Sequence, residues 1–114
     1  MSDTIFGKIA SGEVPADIVY EDEHVVAFRD LSPQAPTHVL VIPRKAIPTL
    51  NDADDSDAEL IGRLLLAAAK VAEQEGIAAA GYRTIINCNA GAGQTVYHLH
   101  VHVLGGRPLQ WPPG

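Results

Sequence analysis

Apolar and polar residues along the chain follow two periods, one of two residues and one near three and a half. The period of two is cleanest at the end, where "YHLHVHVL" (97–104) sets Leu99, Val101 and Val103 on one side of an extended chain and His98, His100 and His102 on the other. Two more β-rich runs, "DIVYED" and "HVVAFRD", flank an acidic turn around Glu21–Glu23 and predict a hairpin. "LSPQAPT" cannot extend it, because Pro33 and Pro36 remove donors and fix φ, and "HVLVIPR" resumes an extended run that ends at Pro43. The helical period governs two segments. "TIFGKIASGE" predicts a short helix capped by Thr4, with Ile5, Phe6 and Ile9 on one face and Gly12 as its left-handed stop. A long helix is expected from about Ser56 to Glu75. Ser56 and Glu59 form a capping-box pattern, and Asp54, Asp55 and Asp57 suit the positive end of the dipole. Leu60, Leu64, Ala68 and Val71 make its stripe, widened by Ile61, Leu65 and Ala72, and Gly76 closes it. "YRTIINC" and the loop "NAGAGQT" lead into the histidine segment. Strand pairs without regularly interleaved helices predict an α+β domain: an antiparallel sheet, one long helix and a short N-terminal helix.

At 114 residues the chain has length for one domain, expected to span 1–114 with a tail from about position 105. Eight basic and fourteen acidic residues give a net charge of −6, with acidic clusters at 52–59 and 21–23. No basic stripe is available for a polyanion, which argues against DNA or RNA as the main partner. A small phosphorylated ligand stays compatible, since backbone N–H groups hold phosphate without net positive charge. The single cysteine, Cys88, rules out an internal disulfide and fits a reducing compartment; with no basic neighbour to activate it, it reads as structural. "MSDTIFGKIASGE" has no basic region followed by a long apolar run, and no stretch reaches the apolar length a bilayer requires, so a cytoplasmic location away from membranes is expected.

The histidine row admits three readings. A zinc site needs ligand atoms within about 3–4 Å of one another, and strand residues two apart (about 6.6 Å) can share an ion whereas residues four apart (about 13 Å) cannot. One strand therefore supplies two ligands at most, and the others must come from elsewhere, such as His38; the expectation is no metal and no cofactor. A solvated row without chemistry would set repelling imidazoles where valine packs better. The third reading is nucleophilic catalysis. Neutral imidazole attacks phosphorus near pH 7 and leaves again once protonated, so a covalent phosphoryl-imidazole forms and then hydrolyses. Such a centre wants an anion cradle, and "AGAGQT" precedes the strand with Gly91, Gly93 and the Thr95 hydroxyl. It is no Walker loop, because no Lys follows and a strand comes next.

"HLHVHVL" matches His-Φ-His-Φ-His-Φ-Φ (Φ apolar), the motif of the histidine triad family. "IFGKI", "FRDLSPQAPTHVLVIP", "GQTVYHLHVHVLGGR" and "WPPG" resemble its nucleotide-binding, adenosine phosphoramidase branch over nearly the whole chain. The resemblance implies a homodimer of histidine triad fold that cleaves the P–N bond of purine nucleoside 5′-phosphoramidates and releases the nucleoside monophosphate. It implies His100 as the nucleophile that carries the nucleotidyl group, His102 at the α-phosphate, His98 as support and His38 as a fourth histidine nearby. Asp30 would bind the ribose hydroxyls. Phe6, Ile9, Phe28 and Leu31 would form the base slot, though apolar packing alone would also account for them. Asn87, Gly93, Gln94 and Thr95 would line the phosphate side, and Trp111 would reach across the dimer interface to the leaving-group pocket. Thr95 stands where the family often has serine, and "NCNAGA" departs from its commoner acidic, glycine-rich loop; both bear on leaving-group preference. Dinucleoside polyphosphate hydrolysis or transfer, and a nucleotide sensor or scaffold with incidental turnover, are the alternatives.

Overall fold

The computed structural model describes residues 4–114; residues 1–3, which the single-domain expectation includes, lie outside the described residues. In order, the regular elements are α1 (Ile5–Ala10), β1 (Ile18–Glu21), β2 (Val25–Arg29), β3 (Thr37–Pro43), α2 (Ala58–Gln74), β4 (Tyr82–Ile85) and β5 (Val101–Gly105). The strands form one antiparallel sheet in the order β1-β2-β3-β5-β4, so the α+β expectation holds. Every residue of β3 and the first four of β2 are buried, because both faces of the central sheet are covered. That is why "VVAF" and "HVLVIP" read as nearly unbroken apolar runs.

On one face lies α2, whose Leu64, Ala67, Ala68, Val71 and Ala72 pack on Val25, Ala27, Val39, Val41, Leu99, Val101 and Val103. The alanines let the helix axis approach the sheet closely. On the other face a smaller cluster joins Phe6, Ile9 and Ala10 of α1 to Val26, Phe28, Leu40 and Ile42. No helix among the described residues is long and apolar enough to cross a membrane.

Both helices end as glycine allows. Gly76 has φ of 74°, and the N–H groups of Gly76 and Ile77 return to the carbonyls of Glu73 and Ala72, a Schellman closure. Thr4 caps α1 as expected, its hydroxyl accepting from the Gly7 N–H at 3.1 Å, but Ile5 is exposed rather than packed with Phe6 and Ile9. The start of α2 needs correcting. A 3-10 turn at Asp55–Asp57 precedes it, and the reciprocal box is Asp54 with Asp57, not Ser56 with Glu59. The Ser56 N–H instead donates to Asp54. The two carboxylates close the turn reciprocally, Asp54 accepting from the Ser56 N–H and Asp57 from the Asp54 N–H. Leu65 is also corrected: it is 44% exposed, and Ala67 holds the core position.

Candidate active site

Along the β3–β5 ladder Leu40 faces His102 and Val41 faces Val101, and the regular pairing stops there. The next residue of β3 whose backbone would bond to β5 is Pro43, opposite Leu99. Alternate residues of β3 bond to β2, as the Asp30 N–H to His38 carbonyl and Arg44 N–H to His24 carbonyl bonds show, so Pro43 is at a position that addresses β5. It has no N–H to give. Its carbonyl accepts from the His98 ring at 2.8 Å, and the Leu99 N–H turns to the Ile47 carbonyl at 2.7 Å. The picture of three histidines in one regular strand is therefore corrected. Only His102 belongs to β5; His98 and His100 lie in the segment that leaves the sheet. The apolar half of the alternation survives intact, with Leu99, Val101 and Val103 all fully buried.

That departure gives each ring a different environment. A carbonyl only accepts, so His98 donates from Nε2, which leaves its fully buried Nδ1 as a bare acceptor without a partner. His100 donates from Nδ1 to the His98 carbonyl at 2.7 Å, leaving Nε2 with a lone pair. The Gln34 N–H donates to His38 Nδ1 at 3.0 Å, so the His38 proton is on Nε2, 2.9 Å from His102 Nδ1. His102 accepts there and carries its own proton on Nε2. Asp30 Oδ2 lies 3.4 Å from His38 Nε2, and its other oxygen accepts from the Ser32 N–H at 2.7 Å. Burial, the largest cause in each case, lowers the pKa of His38, His98 and His100 below that of free imidazole, and pushes His102 down to about 4 with help from His100 and His38. All four rings are neutral at pH 7.

His100 and His102 line a pocket of about 340 Å³, walled by Phe6, Ile9, Phe28, Leu40, Val14, Ala16 and Val96, with Leu31 at its rim and Asp30 and Thr95 at its polar side. This is the size of a small-molecule site. Phe6 meets the His100 ring edge-on, centroids 5.0 Å apart, and Phe28 packs against Phe6. Of the expected residues the pocket thus gathers Phe6, Ile9, Phe28, Asp30, Leu31, Thr95, His100 and His102, with His38 immediately behind. Leu31 is fully exposed and forms a lip, not a wall. Leu40, absent from the sequence reading, was findable: it alternates with His38 on one face of β3 and pairs with His102.

The glycine loop differs from the expected backbone cradle. Ala90–Ala92 form a 3-10 turn, and the N–H groups of Ala92, Gly93 and Gln94 are all taken by the carbonyls of Asn89 and Ala90. The Gln94 side chain is buried, accepting from Asn89 N–H and donating to the carbonyls of Pro48 and Val96. Gly93 (φ 89°) and Gln94 therefore shape the loop, and it is Thr95 and Val96 that reach the pocket. Asn87 is half-buried beyond β4 and outside the pocket wall, and Trp111 is 82% exposed, away from the pocket within one chain. His98 does not line it either.

Asp30, His38 and His102 bring ligand-type atoms within 4.8 Å of one another. Their protonation does not suit a cation. His38 Nδ1 already accepts a backbone N–H, so coordination through Nε2 would strip the ring of its only proton and require imidazolate. The cluster is built as a hydrogen-bond relay.

A profile of the HIT domain matches residues 11–109. The chain is 59% identical over 107 residues to the purine nucleoside phosphoramidase of Escherichia coli (strain K12), covering 94% of this chain and 90% of that one. Among solved structures, a HIT family hydrolase from Legionella pneumophila Philadelphia 1 superposes with a TM-score of 0.96 at 54% identity, over 98% of this chain and all (100%) of the other. A HIT family hydrolase from Clostridium thermocellum gives 0.93 at 46%, with 96% of each chain covered.

Proposed function

The chain belongs to the histidine triad family, and from that premise we propose that it is a hydrolase of purine nucleoside 5′-phosphoramidates that works through a nucleotidyl-histidine. One observation carries the reading. His100 spends its only proton on its own segment's backbone, which leaves an uncharged nitrogen lone pair on a ring that borders an apolar pocket. A group so arranged is a nucleophile without needing a base to deprotonate it.

In the proposed reaction the base lies in the slot of Phe6, Ile9, Phe28 and Leu31, and Asp30 accepts from the ribose hydroxyls with the lone pairs its present bonds leave over. His100 Nε2 bonds to the α-phosphorus as the P–N bond breaks; the electron pair goes to the departing nitrogen, which takes a proton from solvent and leaves as the amine. His102 Nε2–H and the Thr95 hydroxyl donate to the phosphate oxygens as charge builds there. Water then attacks phosphorus, the N–P bond to His100 breaks, and the monophosphate departs. Gly93 and Gln94 act indirectly, by holding the turn that presents Thr95. Mixing enzyme with an adenosine phosphoramidate and quenching within the first turnovers should yield a nucleotidylated protein by intact mass, with the adduct in the peptide containing His100. An adduct elsewhere, or turnover in which no adduct forms under any quench, would sink this mechanism.

A homodimer completes the proposal. β4 is a sheet edge whose outer backbone groups face no strand among the described residues of one chain. Lys70 and Gln74 lean the near flank of α2 onto β1, through the Tyr20 ring and the Val19 carbonyl, so Leu65 is on the far flank with its side chain exposed. Pairing β4 with its two-fold copy would cover the edge together with that leucine, and would bring the solvent-exposed Trp111 of one chain toward the other's pocket. Sedimentation velocity should give twice the chain mass at micromolar concentration. A monomer there removes Trp111 from the proposed leaving-group site.

A further inference from the structure

Two residues beyond β5, Arg107 reaches back over the loop that follows β2. Its Nε and Nη2 both donate to the Gln34 carbonyl, at 3.1 and 2.9 Å, and Nη1 donates to Pro108 at 3.2 Å. Gln34 is the residue whose N–H donates to His38 Nδ1. Hydrogen bonds thus run unbroken from the tail to the pocket: Arg107 to Gln34, Gln34 to His38, His38 to His102. The middle of this run needs holding. Residues 31–34 are exposed, belong to no strand, and include Pro33, which cannot donate. A guanidinium with two donors on one carbonyl is a strong, directional clamp for such a segment.

Resting on the phosphoramidase reading of the pocket, we infer that Arg107 is a positioning residue: by fixing Gln34 it keeps the His38 proton on Nε2 and hence the His102 proton on the nitrogen that is free for substrate. Without the clamp the Gln34 N–H drifts from His38, whose Nδ1 becomes free to take the proton. His38 then presents a lone pair to His102, and the two rings must reverse their donor order. The His102 Nε2–H that the phosphate oxygen needs is present only part of the time.

The test joins ¹⁵N NMR of histidine-labelled protein to steady-state kinetics, on the full chain with Arg107→Gln and Arg107→Lys. In the unsubstituted protein the ring nitrogens of His38 and His102 should both report the Nε2–H form. Arg107→Gln should shift both toward a mixture of forms and lower kcat about tenfold with KM little changed, as expected when a donor near the reacting atoms is misaligned rather than removed. Arg107→Lys, with one point donor in place of the fork, should recover part of both. Unaltered ring tautomers in Arg107→Gln overturn the inference whatever the rate, and altered tautomers with an unaltered kcat overturn it as well. A parent protein inert toward phosphoramidates would instead strike the functional reading, and the NMR arm would still decide whether Arg107 sets the tautomers.

Discussion

Replacing His100 with alanine is expected to abolish phosphoramidate hydrolysis, lowering kcat by at least about four orders of magnitude, the scale seen when a covalent catalyst loses its nucleophile. The geometry makes the loss specific. His102 has its Nδ1 occupied by His38, and His98 is wholly buried with no access to the pocket, so neither ring can stand in. Binding should survive, because the slot of Phe6, Ile9, Phe28 and Leu31 and the carboxylate of Asp30 are untouched. Truncation does remove the ring that Phe6 packs against, so His100→Gln belongs beside alanine as a variant that keeps more of the volume. Circular dichroism and titration with the monophosphate product check fold and affinity; single-turnover kinetics checks the chemistry. A variant that folds, binds and still turns over near the parental rate would assign the nucleophile to another group.

The second large effect is loss of stability in mild acid. Burial lowers the pKa of His38, His98 and His100, and His102 is down to about 4, against an ordinary value near 6.5. The unfolded chain therefore binds more protons than the folded one across this interval. The stabilisation is fully present above about pH 6.5 and drains away as the pH falls toward the folded-state values. His102 alone accounts for about 3 kcal/mol between pH 7 and pH 4, a large part of a small domain's total. Asp22 and Asp57, whose pKa values are lowered from 3.8, act in a separate window below the histidine one. Urea unfolding at pH 7, 6, 5 and 4 should show a steady fall, and His102→Gln should flatten the curve in that interval. A stability that is level from pH 7 to pH 5 would mean the rings take up protons in the folded state without resistance.

Much of this site could be read from residue order. Alternation told which side of the last segment packs and which carries chemistry, and it did so because Leu99, Val101 and Val103 must be buried whether or not a ladder holds them. The hairpin, the break at Pro33 and Pro36 and the closure at Gly76 are local matters, settled within a few residues. What escaped has distant causes. His98 and His100 leave the sheet because of Pro43, 55 residues before His98 in the chain, and only the strand register brings the two together. The glycines suggested open amides, but the Asn89 and Ala90 carbonyls that take those amides are neighbours whose folding back no spacing rule announces. The helix start moved because four acidic or hydroxyl residues in a row, Asp54 to Asp57, with Asp52 two positions before them, offer competing caps, and tertiary fit chooses among them. Arg107 looked like an ordinary basic residue in a tail until its reach to Gln34 was visible.

The end of the β3–β5 pairing has one more consequence. An imidazole held in a regular ladder points where the pleat dictates; the His100 ring here takes its bearing from the carbonyl two residues upstream, in the segment that has left the pairing with β3. The aim of that ring is thus inherited from an atom that does not exist, the amide hydrogen proline lacks. Position 43 is therefore where a change that merely lengthened the sheet, touching no residue that lines the pocket, would turn a tool for bond cleavage into one more stretch of β-structure.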